Sequence, residues 1–359
     1  METIAWIGFS QALFAGLIVS AKKGRSTADS ILSGWLILMA IEFATYGIDM
    51  RAFGSPALLS NPFLLFNPAM YLYSRSLTNK SFNLRWAHLW HLAPYIAFET
   101  TAFLLGERPE LGVYLKIDGT LWFRILFTIA SFLSWVIYPT LSIRTIHLHR
   151  LNLENEFSTL DSYRRISWLL FVLVFYMLYW IATLSAGLYN FITGKESSVW
   201  TLNYSILLAL TYIMGFYGLK QEKIFPPEPE EGGEKYKRSR LREDYKERVK
   251  QRLLAYFESE KPYLNSELAI GDIAGKLKVP RHVLTEVLNS AIGKNFYQFV
   301  NEYRVEAVKK KLTDPKLRNL SIEAIGFECG FNSKSTFFSV FKSLAGMTPA
   351  QFQNSEGVT

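Results

Sequence analysis

From Ile4 to Leu219 the chain is one apolar run after another: Ile4–Ala21, Ile31–Ile48, Leu58–Leu77, Trp86–Leu105, Leu121–Ile143, Ile166–Ile192 and Val199–Leu219. A membrane helix needs about 20 predominantly apolar residues. A buried helix of a water-soluble protein rarely stays apolar this long. A whole series of such runs points to a bundle of membrane helices, each satisfying its own backbone hydrogen bonds. Seven spans are expected; the third run is interrupted by Asn61-Pro62 and Asn67-Pro68, so six is the alternative. No basic stretch precedes the first run and further apolar segments follow it, the pattern of a span rather than of a cleaved signal peptide.

Lys and Arg between the runs orient the bundle, because cytoplasmic loops are enriched in positive charge. Lys22, Lys23 and Arg25 lie in the first loop, Arg75, Lys80 and Arg85 in the third, and Arg144, Arg150, Arg164 and Arg165 in the fifth. The intervening loops hold Arg51 alone, then Glu107, Arg108, Glu110, Lys116 and Asp118, then Lys195-Glu196. Odd-numbered loops are therefore expected in the cytoplasm and the N-terminus outside. An odd number of spans then leaves the C-terminus inside.

Glu42, Glu99 and Arg124 fall within the runs. A charge near the bilayer centre costs about 2.5–3.5 kcal/mol on insertion scales, so such groups usually face the bundle interior. Two readings stand for the carboxylates: polar contacts that set helix packing, or a signal-binding site with Arg124 as counter-ion. The pairs His88/His91 and His147/His149 lack a clear third ligand, and the single cysteine, Cys329, is most simply a small core residue, so no metal or other cofactor is expected.

Past Leu219 the composition changes. Lys220–Arg242 contains Pro226, Pro227, Pro229, Gly232 and Gly233 amid alternating charge, which makes residues 221–243 an exposed linker. Its basic run Lys235–Arg242 suits lipid headgroups, DNA phosphates or solvent alike. Of the formal net charge of +8, about +5 lies from Lys220 onward, a balance that favours a nucleic-acid partner.

Residues 244–355 read as a soluble helical domain. Val249, Leu253, Leu254 and Phe257 recur at helical spacing, Leu268–Val279 and Pro280–Ala291 form a helical pair, and Phe296–Leu312 is a longer amphipathic helix ended by Asp314-Pro315. In Leu320–Gln353, Ile322, Ile325 and Phe327 open a short helix and Gly330 supplies a turn that needs positive φ. Asn332-Ser333 then caps a second helix with Phe337, Phe341 and Leu344 on its apolar face. Ser335, Ser339 and Lys342, flanked by Lys334 and Thr336, form the polar face. A helix, a glycine turn and a helix with a polar and basic outer face are the parts of a helix-turn-helix, whose second helix can enter a DNA major groove.

The string GFNSKSTFFSVFKSLAGMTPAQF resembles the second helix-turn-helix of the AraC/XylS family, and the stretch from about Tyr245 to Phe352 resembles that family's whole DNA-binding domain. The resemblance implies two helix-turn-helix units joined by one long helix, each presenting a recognition helix to double-stranded DNA. By position, the first would read DNA through Arg281, His282, Thr285 and Asn289. The second would use Ser333, Lys334, Ser335, Thr336, Ser339 and Lys342. Arg suits guanine, Asn adenine, and Lys, Ser and Thr phosphates. The sequence departs from the family's pattern at Pro280, where a capping Ser is usual, at Glu286, where a carboxylate replaces a basic or neutral residue, and at Phe338 on the exposed edge.

The expected architecture is all-α: a polytopic membrane bundle (1–220), a linker (221–243) and an AraC-like domain (244–355). The expected function is a multi-pass, one-component transcription regulator of the bacterial cytoplasmic (inner) membrane. It senses an unknown ligand or membrane partner in the bundle and acts on DNA, with a homodimer as the plausible assembly. The competing readings are a transporter or membrane enzyme with an appended DNA-binding domain, and a passive membrane anchor. No internal repeat, phosphate loop or Ser/His/Asp constellation favours an enzyme or a transporter.

Overall fold

The computed structural model describes residues 2–53, 63–79, 81–106, 117–159, 161–193, 199–220, 243–317 and 319–355. The expected linker apart from Glu243, Asn61-Pro62, Lys80, the outer-loop residues Glu107, Arg108, Glu110 and Lys116, and Lys195-Glu196 lie outside the described residues. Two compact units emerge, Met1–His149 with Arg165–Pro226, and Arg150–Arg164 with Pro227–Thr359. Among the described residues there is no strand; one isolated antiparallel bridge joins Phe157 and Ala269.

In the first unit the helices are α1 (Glu2–Ser20), α2 (Thr27–Phe53), α3 (Phe63–Thr78), α4 (Ala93–Leu105, preceded by the 3-10 turn Trp86–Leu92), α5 (Leu121–Glu156), α6 (Asp161–Thr193) and α7 (Val199–Lys220). Four described stretches are long and apolar enough to cross a membrane: Glu2–Ser20, Thr27–Ile48, Leu121–Glu156 and Thr201–Lys220. Helices α3 and α4 are shorter, at 16 and 13 residues, and α6 contributes the shorter apolar stretch Trp168–Ala182.

Small residues set the closest approach in this unit. Helix α1 buries Ala5, Gly8, Ala12 and Gly16. A β-carbon at Gly8 would lie 2.4 Å from the Phe43 ring, and one at Gly16 3.1 Å from Ile37, so α1 and α2 pack nearly backbone to backbone. The Ser33 hydroxyl donates to the Gly16 carbonyl across this seam at 2.8 Å. Phe14 and Leu17 on the outer side of α1 are exposed, an apolar surface suited to lipid. Asn67, one of the residues that interrupt the third run, is fully buried. It donates to Ser134 Oγ at 3.0 Å and accepts from the Tyr176 hydroxyl at 2.7 Å, which ties α3, α5 and α6 together. Pro68 follows it inside α3 without ending the helix.

The second unit holds α8 (Glu243–Glu260), a 3-10 turn Pro262–Leu264, α9 (Ile270–Leu277), α10 (Arg281–Glu286, continued by a π-helical turn Val287–Ile292), α11 (Phe296–Leu312), α12 (Ile322–Glu328), α13 (Lys334–Ala345) and α14 (Pro349–Ser355). Two separate apolar cores form. One joins Val249, Leu253 and Phe257 of α8 with residues of α9 and α10, and the other joins α12 with α13. Helix α11 serves both: Phe296, Phe299 and Val300 enter the first core, and Val305, Val308 and Leu312 the second. The apolar residues of α11 are therefore split between two cores, with Tyr303 and Ala307 only half-buried.

Candidate nucleic-acid interface

In the first helix-turn-helix, α9 ends at Lys278, which adopts left-handed φ of 52°, and the chain turns through Val279 into α10. Pro280 is the N-cap residue and offers no side-chain cap, as its missing hydroxyl requires. Val283, Leu284, Val287 and Leu288 point to the core, while His282 and Asn289 are exposed. Thr285 is half-buried, with its hydroxyl donating to the Arg281 carbonyl at 3.1 Å. Arg281 lies folded across α9. A β-carbon at Gly271 would sit 2.8 Å from its Nη2, so Gly271 leaves the room that the guanidinium occupies. Glu286 is ion-paired with Lys246 of α8 at 2.9 Å, which gives that departure from the family pattern a structural role.

The second unit follows its expected geometry closely. Ser321 caps α12 by accepting from the Ala324 amide at 3.1 Å. Gly330 has φ of +91°, and a β-carbon there would run into the Tyr263 carbonyl oxygen at 2.2 Å, so both conformation and space call for glycine. Ser333 caps α13 by accepting from the Thr336 amide at 3.2 Å, and it donates to Thr336 Oγ1 at 2.8 Å. The Ser333 hydroxyl therefore shapes the start of the helix.

Phe337, Val340 and Phe341 are buried, whereas Lys334, Ser335, Ser339 and Lys342 are exposed. Lys334 pairs with Glu323 of α12. Leu344, expected on the buried face, is 44% exposed, because the core closes at Phe341, where Phe352 of α14 packs with ring centroids 5.8 Å apart. Phe327 of α12 is likewise exposed. Phe338 is half-buried and packs edge-on against Phe337 at 5.0 Å, beneath the Lys334 ammonium.

Sequence reasoning missed the polar centre of this unit. Arg304 and Asn301 of α11 are wholly buried. Arg304 donates from Nε to the Tyr263 carbonyl at 2.9 Å and from Nη2 to the Asn265 carbonyl at 2.8 Å. It also reaches the Ser158 carbonyl at 3.1 Å and the Ser158 hydroxyl at 3.0 Å. Its guanidinium lies 5.8 Å from the Phe331 ring, so one side chain joins the segment before α9 to the turn between α12 and α13. Burial pushes its pKa down to about 10, which still leaves it charged at neutral pH. The only sequence signal was a basic residue beside an apolar stripe, which ordinarily faces solvent.

The candidate signal-binding residues occupy three helices. Glu42 of α2 is buried and accepts from the Tyr204 hydroxyl of α7 at 2.8 Å, and Tyr204 stacks on Tyr46 at 3.7 Å. Glu99 of α4 is half-buried. Arg124 of α5 is fully buried, donating to Asp118 at 2.7 Å and to Thr120 at 2.9 Å. Hydrogen bonds from Thr120 and then from Arg124 hold the Asp118 carboxyl down to about 2. Arg124 is thus ion-paired with Asp118, three residues before the start of α5. Among the described residues no cluster of three or more His, Cys, Asp or Glu could hold a metal ion.

Comparison with protein families matches residues 273–355 to a helix-turn-helix domain. The match begins inside α9 and runs through α14, so it takes in α10, α13 and the shared α11. Searches of curated proteins and of solved structures find no match. The match over residues 273–355 supports the resemblance to AraC-type helix-turn-helix domains.

Proposed function

We propose that the chain is a membrane-integral one-component transcription regulator, in which the helical bundle senses a signal and the C-terminal domain binds operator DNA through two helix-turn-helix units. The observation that carries the reading is the polar outer face of α13: Ser335, Ser339 and Lys342 are exposed on a helix whose opposite face is locked into a core, within a matched helix-turn-helix domain. His282 and Asn289 offer a second such face on α10 and its π-helical turn. The apolar outer surface and the four span-length stretches support a bilayer location, and the loop charges support a cytoplasmic DNA-binding domain.

The test uses the full chain in lipid nanodiscs. Mapping the genomic fragments it occupies in cells yields candidate operators, and their affinity is then measured against salt. Binding that weakens steeply with salt and prefers the recovered duplexes to scrambled ones supports the reading. Absence of duplex binding at low salt sinks it.

A further inference from the structure

The second unit contains a segment from far away in the chain. Arg150–Ser158, the last turns of α5 and the two residues after it, lies along the DNA-binding domain. Its end is held as a strap. Phe157 bridges to Ala269, the Ser158 amide donates to the Leu268 carbonyl at 3.1 Å, and the Ser158 carbonyl accepts from Asn301 at 3.3 Å and from Arg304 at 3.1 Å. Ser158 is 1% exposed, so the slot is filled and its polar groups are met. One turn earlier, Asn155 Oδ1 accepts from the Asn289 side chain at 3.4 Å, and Glu154 accepts from Asn295 at 3.1 Å.

Asn289 belongs to the first recognition face, and an amide turned to Asn155 is not turned to a base edge. Glu154, which also pairs with Arg150, brings a carboxylate to Asn295 just beyond the same helix, where DNA would bring phosphates. We infer that Arg150–Ser158 is an autoinhibitory strap: docked, it occupies Asn289 and opposes DNA at the first helix-turn-helix, and DNA binding requires its release. The inference rests on the regulator reading. It also supplies that reading with a route for the signal, since the strap is covalently continuous with α5, a span-length helix. A ligand that binds better when the strap is free raises DNA affinity by the same factor that DNA raises the ligand's.

The experiment compares the parent with E154A/N155A, both full-length in nanodiscs, on a duplex recovered from genomic mapping of the parent. Hydrogen exchange at Phe157 and Ser158 of the parent is followed with and without that duplex. The variant should bind about 5- to 150-fold tighter, the usual range of coupling between two sites, and DNA should speed exchange at the Ser158 amide. A variant that binds no tighter, or a Ser158 amide that DNA leaves unchanged or protects further, overturns the strap while leaving the regulator reading in place. If the parent binds no duplex at low salt, both fall together.

Discussion

The Phe337 ring lies directly on the backbone of Gly326: a β-carbon built there would come within 2.7 Å of its Cδ1. This contact is where α12 and α13 cross, and it fixes the angle at which the second recognition helix leaves its partner. Phe337 is 1% exposed and held between Phe331 and Phe341, so it has little room to yield. Gly326→Ala should gain up to about 1 kcal/mol of helix propensity but incur about 1–3 kcal/mol of overpacking, a net loss. Gly275 of α9, with nothing within 4 Å of a β-carbon, is the control, and Gly275→Ala should stabilise by up to about 1 kcal/mol. Hydrogen exchange of α11, which belongs to both cores, reads both variants. A Gly326→Ala protein as protected as the parent would refute the crossing argument.

Cys329 is fully buried in the same core, and burial pushes its thiol up to about 11. The thiolate is the reactive form, so at pH 8 alkylation should run at least about a hundredfold slower in the folded chain than in guanidinium. The folded rate should rise only as pH nears the raised pKa or as the second core opens. Because this is the one cysteine in the chain, labelling is a direct gauge of that core. Equal rates in the folded and unfolded protein would mean the thiol is accessible.

Lys342 and Arg281 should fail differently on DNA. Lys342 is exposed on α13 and suits a phosphate, so Lys342→Ala should weaken binding to all sequences and reduce the slope of log affinity against log salt by about 0.9. Arg281 must swing away from Gly271 to reach a base. Arg281→Ala should cost about 1–3 kcal/mol on the preferred duplex and less on a scrambled one. If both variants lose affinity in equal proportion on both duplexes, Arg281 contacts only backbone.

The loop charges lead to a testable topology. A reporter active only in the cytoplasm should work when fused after Leu219 and stay silent when inserted between Glu107 and Asp118. The opposite pattern would invert the bundle and separate the DNA-binding domain from DNA.

Glu42 bonds Tyr204 across α2 and α7, so a signal that rearranges those helices must deal with this pair. Glu42→Gln and Glu99→Gln should leave membrane insertion and DNA binding intact while fixing reporter output in one state. Variants that respond as the parent does would make these carboxylates packing groups.

Much of this protein was legible locally. The apolar runs locate the helices of the first unit, because a long apolar stretch satisfies its backbone groups most simply within its own helix. The exposed face of α13, the Ser333 cap and the left-handed Gly330 followed from spacing and residue chemistry within a dozen positions. What the tertiary structure decided were matters that no single helix contains. Arg304 is buried because its acceptors come from Tyr263 and Ser158, 41 and 146 positions away. Gly271 and Gly326, poor helix formers by propensity alone, are the places where Arg281 and Phe337 fit. Leu344 and Phe327 had the right periodicity for a core that closed without them. Periodicity reports which face of a helix is apolar; only the partners that arrive from elsewhere determine how much of that face, and which polar groups beside it, leave water.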